Sequence, residues 1–194
     1  MKQARVLSEA EFRRAIVACS IGRHAARNRL SLMLSHYAGL RVGEISHLKV
    51  GDVLAEDGSV RDRVHLNPTY TNGGVSRTVF LNAKLSKELA RYVDGLSGLP
   101  ARLSGREAPL LRSQKGGAFS PNSLCQLFSK LYARCGIDGA SSHSGRRAFI
   151  TRLAHSGVSP KVIMELVGHK HLTTTQRYIE VDDEMKKAAV ELLR

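Results

Sequence analysis

The spacing of apolar residues along the chain predicts a series of helices. Near the start, apolar residues recur three or four positions apart at Phe12, Ile16 and Cys19, as on the buried face of an amphipathic helix. Ser8 and Glu11 match a capping box, so we expect this first helix to begin at Ser8. A second stripe predicts another core helix and consists of Ala26, Leu30, Met33, Leu34 and Tyr37.

Three further helices are predicted from polar residues that can cap a helix N-terminus. These are Asn82, Ser120 and Ser159, and the two serines are each followed by proline, which is favoured at the first helical position. We expect the helices that follow the serines to end at Gly136 and Gly168.

A last helix is predicted in the tail, residues 179–194. Acidic residues stand where that helix would begin, at positions 182–184, which suits the positive end of the helix dipole. Its narrow apolar stripe would consist of Met185, Ala188, Ala189 and Leu192. That stripe could pack on its own domain or on a neighbouring protomer.

Two short stretches alternate between apolar and polar residues, as half-buried strands do. The first includes Val60, Val64 and Leu66, the second spans residues 77–81, and residues 72–74 (Asn-Gly-Gly) supply turn residues between them. Residues 95–117 are rich in Gly, Ser and Pro and predict a surface connection with a short ordered piece at positions 110–111. The pattern therefore predicts a mainly α (α+β) fold, with a small antiparallel β-hairpin at one edge of a helical domain.

Length and charge narrow the possibilities. At 194 residues, the chain is most simply one domain, residues 1–194. The net charge of +13 favours a polyanionic partner, and nucleic acid is the leading candidate. An anionic membrane is the alternative, but the sequence has no long apolar run and no basic amphipathic start. We therefore expect a soluble, cytoplasmic protein.

Several basic residues are candidates for contact with a polyanion. Arg23, Arg27 and Arg29, at the start of the second helix, are predicted to be solvated, because charged faces are common on helices. The predicted contacts to a DNA backbone are Arg77, Arg112, Lys115, Arg147 and Lys170.

Two short motifs carry arginine in a setting that suits an anion. His143 and Arg146 lie three residues apart and would share a face near a helix N-terminus, where a phosphate or carboxylate binds well. Arg41 lies between two glycines, with Glu44 three residues further on. This pattern is typical of a preorganised phosphate clamp, although a local Arg–Glu pair that only supports a turn would look the same.

A third motif follows the predicted end of a helix at Gly168. His169 comes directly after this glycine, and Tyr178 follows nine residues later. A single His or Tyr in such a segment is more often a packing or surface residue, so only their combination with the arginines favours a site. The His-Lys-His run at 169–171 has no further metal ligand nearby, and the three cysteines, Cys19, Cys125 and Cys135, lack zinc-site spacing, so we predict neither a metal nor a cofactor.

Taken in order, these motifs resemble the catalytic domain of the tyrosine recombinases, also called the phage integrase family. The matching segments are A-G-L-R-x-x-E at 38–44, H-x-x-R at 143–146, L-V-G-H at 166–169, and the tyrosine at 178. The resemblance implies a compact helical catalytic domain and site-specific recombination of double-stranded DNA. It also implies an arginine pair, two histidines and a nucleophile, which here would be Arg41, Arg146, His143, His169 and Tyr178, with Glu44 in support.

The same resemblance implies a mechanism and an assembly. Tyr178 would form a covalent 3′-phosphotyrosyl link that conserves the bond energy, so neither ATP nor a metal is required. Recombination would need a tetramer on DNA, while the free protein could be a monomer. Family members generally carry a further N-terminal DNA-grasping domain, which is expected to be absent here. The chain would then be a fragment or a naturally short protein like the fimbrial-switch invertases.

One position departs from the family pattern. The family hairpin carries a lysine that is thought to protonate the leaving oxygen, and Asn72 stands in its place here. No lysine lies between Lys49 and Lys84, so these two and Lys115 are the candidate replacements. Two alternatives therefore stay open: a catalytically impaired or accessory DNA-binding protein of this fold, or a type IB topoisomerase-like relaxing activity.

Overall fold

The computed structural model of the chain is mainly helical, with one small sheet. It describes residues 4–71, 74–179, 181, 183–191 and 193. The helices are α1 Glu9–Ala18, α2 Ala25–Ala38, α3 Val42–His47, α4 Val50–Val53, α5 Ala83–Asp94, α6 Ala101–Ser104, α7 Pro121–Arg134, α8 Ser144–His155, α9 Pro160–Val167, α10 Leu172–Gln176 and α11 Asp183–Glu191. The strands are β1 Arg63–Leu66 and β2 Arg77–Phe80. The predicted α+β class is confirmed.

The predicted helix starts are confirmed by their caps. The Ser8 hydroxyl accepts from the Glu11 amide at 3.2 Å, and the Glu11 carboxylate accepts from the Ser8 amide at 3.0 Å, which completes a capping box. The side chains of Asn82, Ser120 and Ser159 each accept a backbone N–H in the first turn of α5, α7 and α9. The cap chemistry in the sequence therefore sets where these helices begin.

The predicted hairpin is also present. β1 and β2 pair antiparallel, with Val64 opposite Val79 and Leu66 opposite Arg77. Val60 lies outside β1 and instead forms an isolated bridge with Leu54. Of the turn predicted at 72–74, Asn72 and Gly73 lie outside the described residues, whereas Gly74 is described and has φ 66°.

The core is built around α2, which is buried on nearly every side. It packs on α8 and α5, and its interior side chains include Leu30, Leu32 and Leu34, all no more than 1% exposed. The predicted stripe is too narrow, because Ser31, Ser35 and His36 are buried as well, and it begins too early, because Ala26 is exposed. A second, smaller cluster joins α8 to α9 and consists of Ile150, Ala154, Ile163 and Val167, with the Tyr178 ring packed against it.

The prediction that three arginines near α2 are solvated is wrong for Arg27 and only partly right for Arg29, whose side chain is 31% exposed. Arg27 is only 7% exposed, donates to the Asn28 side chain and to the Arg112 carbonyl, and lies over the Phe119 ring. Arg29 pairs with Glu88 at 2.8 Å. Arg23 is exposed, as predicted. Arg27 and Arg29 bond to partners that lie far away in the sequence, and a helical pattern does not reveal such partners.

Residues 95–117 are not a simple surface connection. They include α6, and Ala108, Leu110 and Leu111 are buried. Their backbone pairs with the segment after α3, since the Val50 amide donates to the Ala108 carbonyl at 3.0 Å and the Leu110 amide donates to Leu48 at 2.8 Å. These backbone bonds give the segment an ordered place in the core that its Gly-rich composition does not indicate.

The tail helix and the cysteines complete the description of the fold. α11 begins at Asp183, as expected, whereas the side chains of Met185 and Ala188, and Leu192 as a whole, lie outside what the structure describes. Ala189 is exposed. All three cysteines are free thiols. Among the described residues, no helix combines the length and the hydropathy that a bilayer-spanning segment needs.

A buried histidine in α2 should make stability depend on pH. His36 stacks on Phe12, with 3.6 Å between ring centroids, and its Nε2 accepts from Arg152 Nη1 at 2.9 Å. Burial, together with the charges of Arg152 and Lys84, lowers the pKa of His36 to about 3, although the half-exposed Glu9 carboxylate lies 3.8 Å away.

Because the folded chain resists this protonation and the unfolded chain does not, stability is expected to fall as pH drops from about 6.5 towards 3. The contribution reaches up to about 5 kcal/mol. Urea unfolding at several pH values would measure it, with His36→Gln as the comparison. Equal slopes of unfolding free energy against pH in the two proteins would contradict the assignment.

Candidate active site

The tight turn that ends α2 positions Arg41. Gly39 adopts a left-handed conformation with φ 61°, and a Cβ there would come within 2.6 Å of the Phe149 ring. The chain then turns so that Arg41 is the N-cap residue of α3. Glu44, one turn on, accepts from the Arg41 amide at 2.7 Å and from its Nη1 at 3.0 Å. The sequence pattern of an arginine fixed by a nearby glutamate is thus realised.

Arg146 lies on α8 and reaches two other elements. It is 5% exposed, and it donates from Nη1 to the Gly39 carbonyl at 2.5 Å and from Nη2 to the Val167 carbonyl at 2.6 Å. Burial, and then the charges of Arg41 and Arg77, lower the pKa of Arg146 well below its usual value. This guanidinium therefore links the ends of α2 and α9 through hydrogen bonds. Its burial disfavours the charged form.

The two predicted arginines converge. Arg41 Nη1 lies 3.4 Å from the Val167 carbonyl oxygen, to which Arg146 also donates, and Arg41 Nη2 lies 3.4 Å from the Gly168 carbonyl. Side chains 105 positions apart in sequence thus meet at one backbone oxygen. Guanidinium groups held this way present fixed donors to a planar oxyanion.

Arg77 is the site residue whose role the sequence missed. It was predicted as a DNA contact, but its side chain is 7% exposed, with Nη2 2.7 Å from Glu44 Oε2 and Nη1 donating to the Leu166 carbonyl at 2.5 Å. Burial alone would raise the pKa of Glu44, yet the bonds and charges of Arg77 and Arg41 hold that pKa below its usual value. The inward-facing position of Arg77 on β2, two residues before buried Val79, is the signal that could have revealed this.

His169 follows a second left-handed glycine. Gly168 has φ 66°, and a Cβ there would meet the Arg77 side chain at 2.6 Å. His169 Nδ1 lies 2.9 Å from the hydroxyl of buried Thr175, which fixes the ring. Burial, and then the charges of Arg146, Arg41 and Arg77, lower the pKa of His169 to about 4. Its imidazole is therefore neutral at pH 7.

Tyr178 lies beside this histidine in the same chain. The two rings are 5.9 Å apart between centroids and inclined by 23°. The Arg147 guanidinium carbon lies 5.2 Å from the Tyr178 ring centroid, and Arg147 also donates to the Ala4 carbonyl. The phenol is half-buried.

His143 is the N-cap residue of α8, one turn before Arg146, and is exposed. Partial desolvation, and then the charges of Arg146 and Arg41, lower the pKa of His143. All five residues predicted for the site therefore lie in one region, where Arg41 and His169 line a cavity and His143, Arg146 and Tyr178 do not.

An open cavity of about 420 Å³ lies beside Arg41 and Arg77. Its lining includes Arg41, Glu44, Arg77, His169 and Lys170, together with Thr71 and Ser76 from the hairpin. Within the described residues, no three His, Cys, Asp or Glu side chains form a group that could hold a metal ion. The cavity thus gathers several cations around one buried carboxylate.

The other predicted basic residues are spread more widely. Arg112 lines a separate groove with Arg23 and Arg27, and Lys115 is exposed nearby in sequence. Of the lysines considered as proton donors, Lys49 pairs with Glu107 at 2.6 Å and Lys84 lies over the Tyr37 ring. Neither these two nor Lys115 line the cavity, whereas Lys170 does.

Solved structures share this fold. The chain superposes on the crystal structure of XerA recombinase with a TM-score of 0.77 and 24% identity, covering 100% of this chain and 66% of that one. It matches the Tn1549 transposon integrase with a TM-score of 0.78 and 18% identity, covering 100% and 68%. At these identities the likeness establishes the fold alone.

Sequence comparisons extend to curated relatives. A tyrosine recombinase of Pseudothermotoga lettingae is 31% identical over 168 residues, which are 86% of this chain and 54% of that protein. Tyrosine recombinase XerC of Rhodospirillum centenum is 33% identical over 159 residues, or 81% and 43%. The chain thus spans about half the length of the curated relatives it matches. The model of the phage integrase family matches residues 5–185, so the chain belongs to the phage integrase family.

Proposed function

We propose that this protein breaks and rejoins double-stranded DNA at specific sites, through a covalent 3′-phosphotyrosyl link at Tyr178. The observation that carries the proposal is the convergence of Arg41 and Arg146 on the Val167 carbonyl, in the region of the Tyr178 phenol. Relatives named tyrosine recombinases support it, as does the crystal structure of XerH recombinase bound to its difH substrate.

Arg41 and Arg146 would bind the non-bridging oxygens of the scissile phosphate. Negative charge grows on these oxygens as the phosphorus becomes five-coordinate, and donors fixed in advance stabilise that state most. Glu44 lies between Arg77 and Arg41 and bonds to both, so this pair of contacts holds Arg41 in place. Their role would be positioning.

The two histidines would handle protons. A phenol is mostly protonated at neutral pH, so its attack on phosphorus needs a proton acceptor. His143, with its lowered pKa, is neutral at pH 7 and would accept that proton. When Thr175 donates to His169 Nδ1, the His169 Nε2 carries the proton and would donate to a phosphate oxygen.

Recombination would require several protomers on one pair of sites, and we propose a tetramer on DNA. α11 supports this, because Val190 is 65% exposed near its end and Val181, just before it, is 62% exposed. Exposed apolar side chains of this kind would be covered by contact with a neighbouring protomer. Acting on cellular DNA would place the protein in the cytoplasm.

The proposal is tested by trapping the covalent link. A library of nicked duplexes with randomised sequence is incubated with the protein, and denaturation-resistant complexes are isolated and sequenced. A covalent complex is expected with the wild type and with Tyr70→Phe, a matched control on another half-buried tyrosine. None is expected with Tyr178→Phe, because phenylalanine lacks the attacking oxygen.

Two results would count against the proposal. One is a complex that persists in Tyr178→Phe, which would move the nucleophile elsewhere. The other is a wild-type protein that captures no sequence from the library.

A further inference from the structure

Cleavage at the proposed site needs a proton donor for the leaving oxygen, and none of the roles proposed above supplies one. When the phenol oxygen bonds to phosphorus, the bond from phosphorus to the 5′ oxygen breaks, and the electron pair stays on that oxygen. An alkoxide is strongly basic, so a group that donates a proton as the bond breaks would accelerate the step by about 10²–10⁴-fold. The structure narrows which group this is.

Most polar side chains around the cavity cannot give a proton at neutral pH. Glu44 is ionised, because its arginine partners lower its pKa, and His169 is neutral, because its pKa is lowered to about 4. Glu165, which also lines the cavity, is exposed and pairs with Lys161 at 3.3 Å. The Glu44 carboxylate therefore has no proton to give, the N–H of the neutral His169 ring is too weak an acid to give one, and Glu165 is paired with a lysine.

The arginine and hydroxyl side chains at the cavity are too weakly acidic to protonate the leaving oxygen. A guanidinium does not release its proton under these conditions, and Arg77 is already bonded to Glu44 and the Leu166 carbonyl. The Thr71 and Ser76 hydroxyls are alcohols, no more acidic than the departing 5′ hydroxyl, and the single Thr71 proton has two backbone carbonyls within hydrogen-bond distance. Between Thr71 and Gly74 the sequence places Asn72 and Gly73, whose side chains have no acidic proton.

Lys170 combines a position at the cavity with a side chain that can give up a proton. It lines the cavity with Arg41 and His169, directly after the latter in sequence, and its side chain is exposed. No carboxylate of the described residues forms an ion pair with it, in contrast to Lys49 and Lys161. An ammonium group is a stronger acid than a guanidinium and carries three protons on a flexible stem that can reach a leaving atom.

We propose that Lys170 is the general acid that protonates the 5′ oxygen, an assignment that rests on the proposed function. In cleavage, the phenol proton passes to His143, the phenol oxygen bonds to phosphorus, and the Lys170 Nζ proton passes to the departing oxygen. The products are a phosphotyrosyl link, a 5′ hydroxyl, a neutral Lys170 amine and a protonated His143. In rejoining, the amine takes the proton back from the attacking hydroxyl, the bond from phosphorus to the phenol oxygen breaks, and the departing phenolate takes its proton from His143.

The test compares two leaving groups on a duplex recovered from the nicked library. One carries the ordinary phosphodiester, and the other carries sulfur in place of the bridging 5′ oxygen, because a thiolate leaves without a proton. Lys170→Met and Lys170→Arg are expected to cleave the ordinary duplex about 10²–10⁴-fold more slowly than the wild type. On the sulfur-containing duplex, both variants should come within a few-fold of the wild type.

The arginine variant separates proton donation from charge. Arginine keeps a cation that can bind phosphate but cannot give up a proton. If sulfur restores the cleavage rate of Lys170→Arg, the missing function is therefore acid catalysis. Lys161→Met is the matched control, since this lysine lies outside the cavity and pairs with Glu165. It should cleave both duplexes at the wild-type rate.

Equal defects of the Lys170 variants on both duplexes would overturn the assignment, because Lys170 would then act by charge or DNA contact. Normal rates on both duplexes would overturn it too. Absence of any covalent complex with the wild type is a different result, which would remove the proposed function itself and the assignment with it.

Discussion

Replacing Arg146 by lysine is expected to slow DNA cleavage by about 10²–10³-fold, the usual effect of losing one fixed donor to a developing oxyanion. Lysine keeps a positive charge but cannot donate to the Gly39 and Val167 carbonyls while it also faces the phosphate, as the planar guanidinium does. The measurement is the rate of covalent complex formation with saturating protein on a selected nicked duplex.

A matched control distinguishes chemistry from folding. Arg152→Lys lies on the same helix but on an exposed position, and it should cleave at a rate near the wild type. Thermal unfolding of Arg146→Lys should stay cooperative, because both carbonyls are near helix ends and a lysine ammonium can still bond one of them. A variant that keeps at least a third of the wild-type rate would contradict the role given to Arg146.

Replacing Glu44 by alanine is expected to lower the free energy of unfolding by about 3–5 kcal/mol, because it leaves buried charge without its partner. Glu44 is 1% exposed and accepts from both Arg77 and Arg41, so its loss strands the nearly buried Arg77 guanidinium. Urea unfolding measures the loss. Cleavage should fall as well, since Arg41 would lose the group that orients it.

Two further variants test whether the loss of stability comes from the buried Glu44–Arg77 pair. Glu107→Ala removes an exposed ion pair with Lys49 and should change stability far less than Glu44→Ala, because solvent screens exposed ion pairs. The double variant Glu44→Leu with Arg77→Leu removes both members of the buried pair and should be more stable than Glu44→Ala alone. A double variant at least as unstable as that single variant would show that the pair is not the source of the loss.

Local chemistry explains which parts of the fold the sequence predicts well. Caps at Ser8, Asn82 and Ser120 act through bonds to residues three positions on, so the sequence contains all the information needed. The same holds for Gly39 and Gly168, whose left-handed conformations end α2 and α9. Arg41 and Glu44 are also a local pair, and their geometry is as predicted.

The failures lie where distant segments meet. Arg27 and Arg77 have basic side chains typical of a surface, but carbonyls and a carboxylate from other elements satisfy them inside the fold. The 95–117 segment is ordered by backbone bonds to the segment after α3, which no periodicity encodes. The meeting of Arg41 and Arg146 was available only through family resemblance, because spacing alone cannot bring together residues so far apart in the chain.

The position of Arg146 has a consequence for when the protein can act. Its two acceptors, on Gly39 and Val167, lie 107 and 21 residues away in the chain. The paired guanidiniums therefore exist only after the ends of α2 and α9 have docked on α8. On the proposed function, a nascent or partly unfolded chain would have a phenol but no phosphate-binding centre, and so could not nick the genome by accident during synthesis.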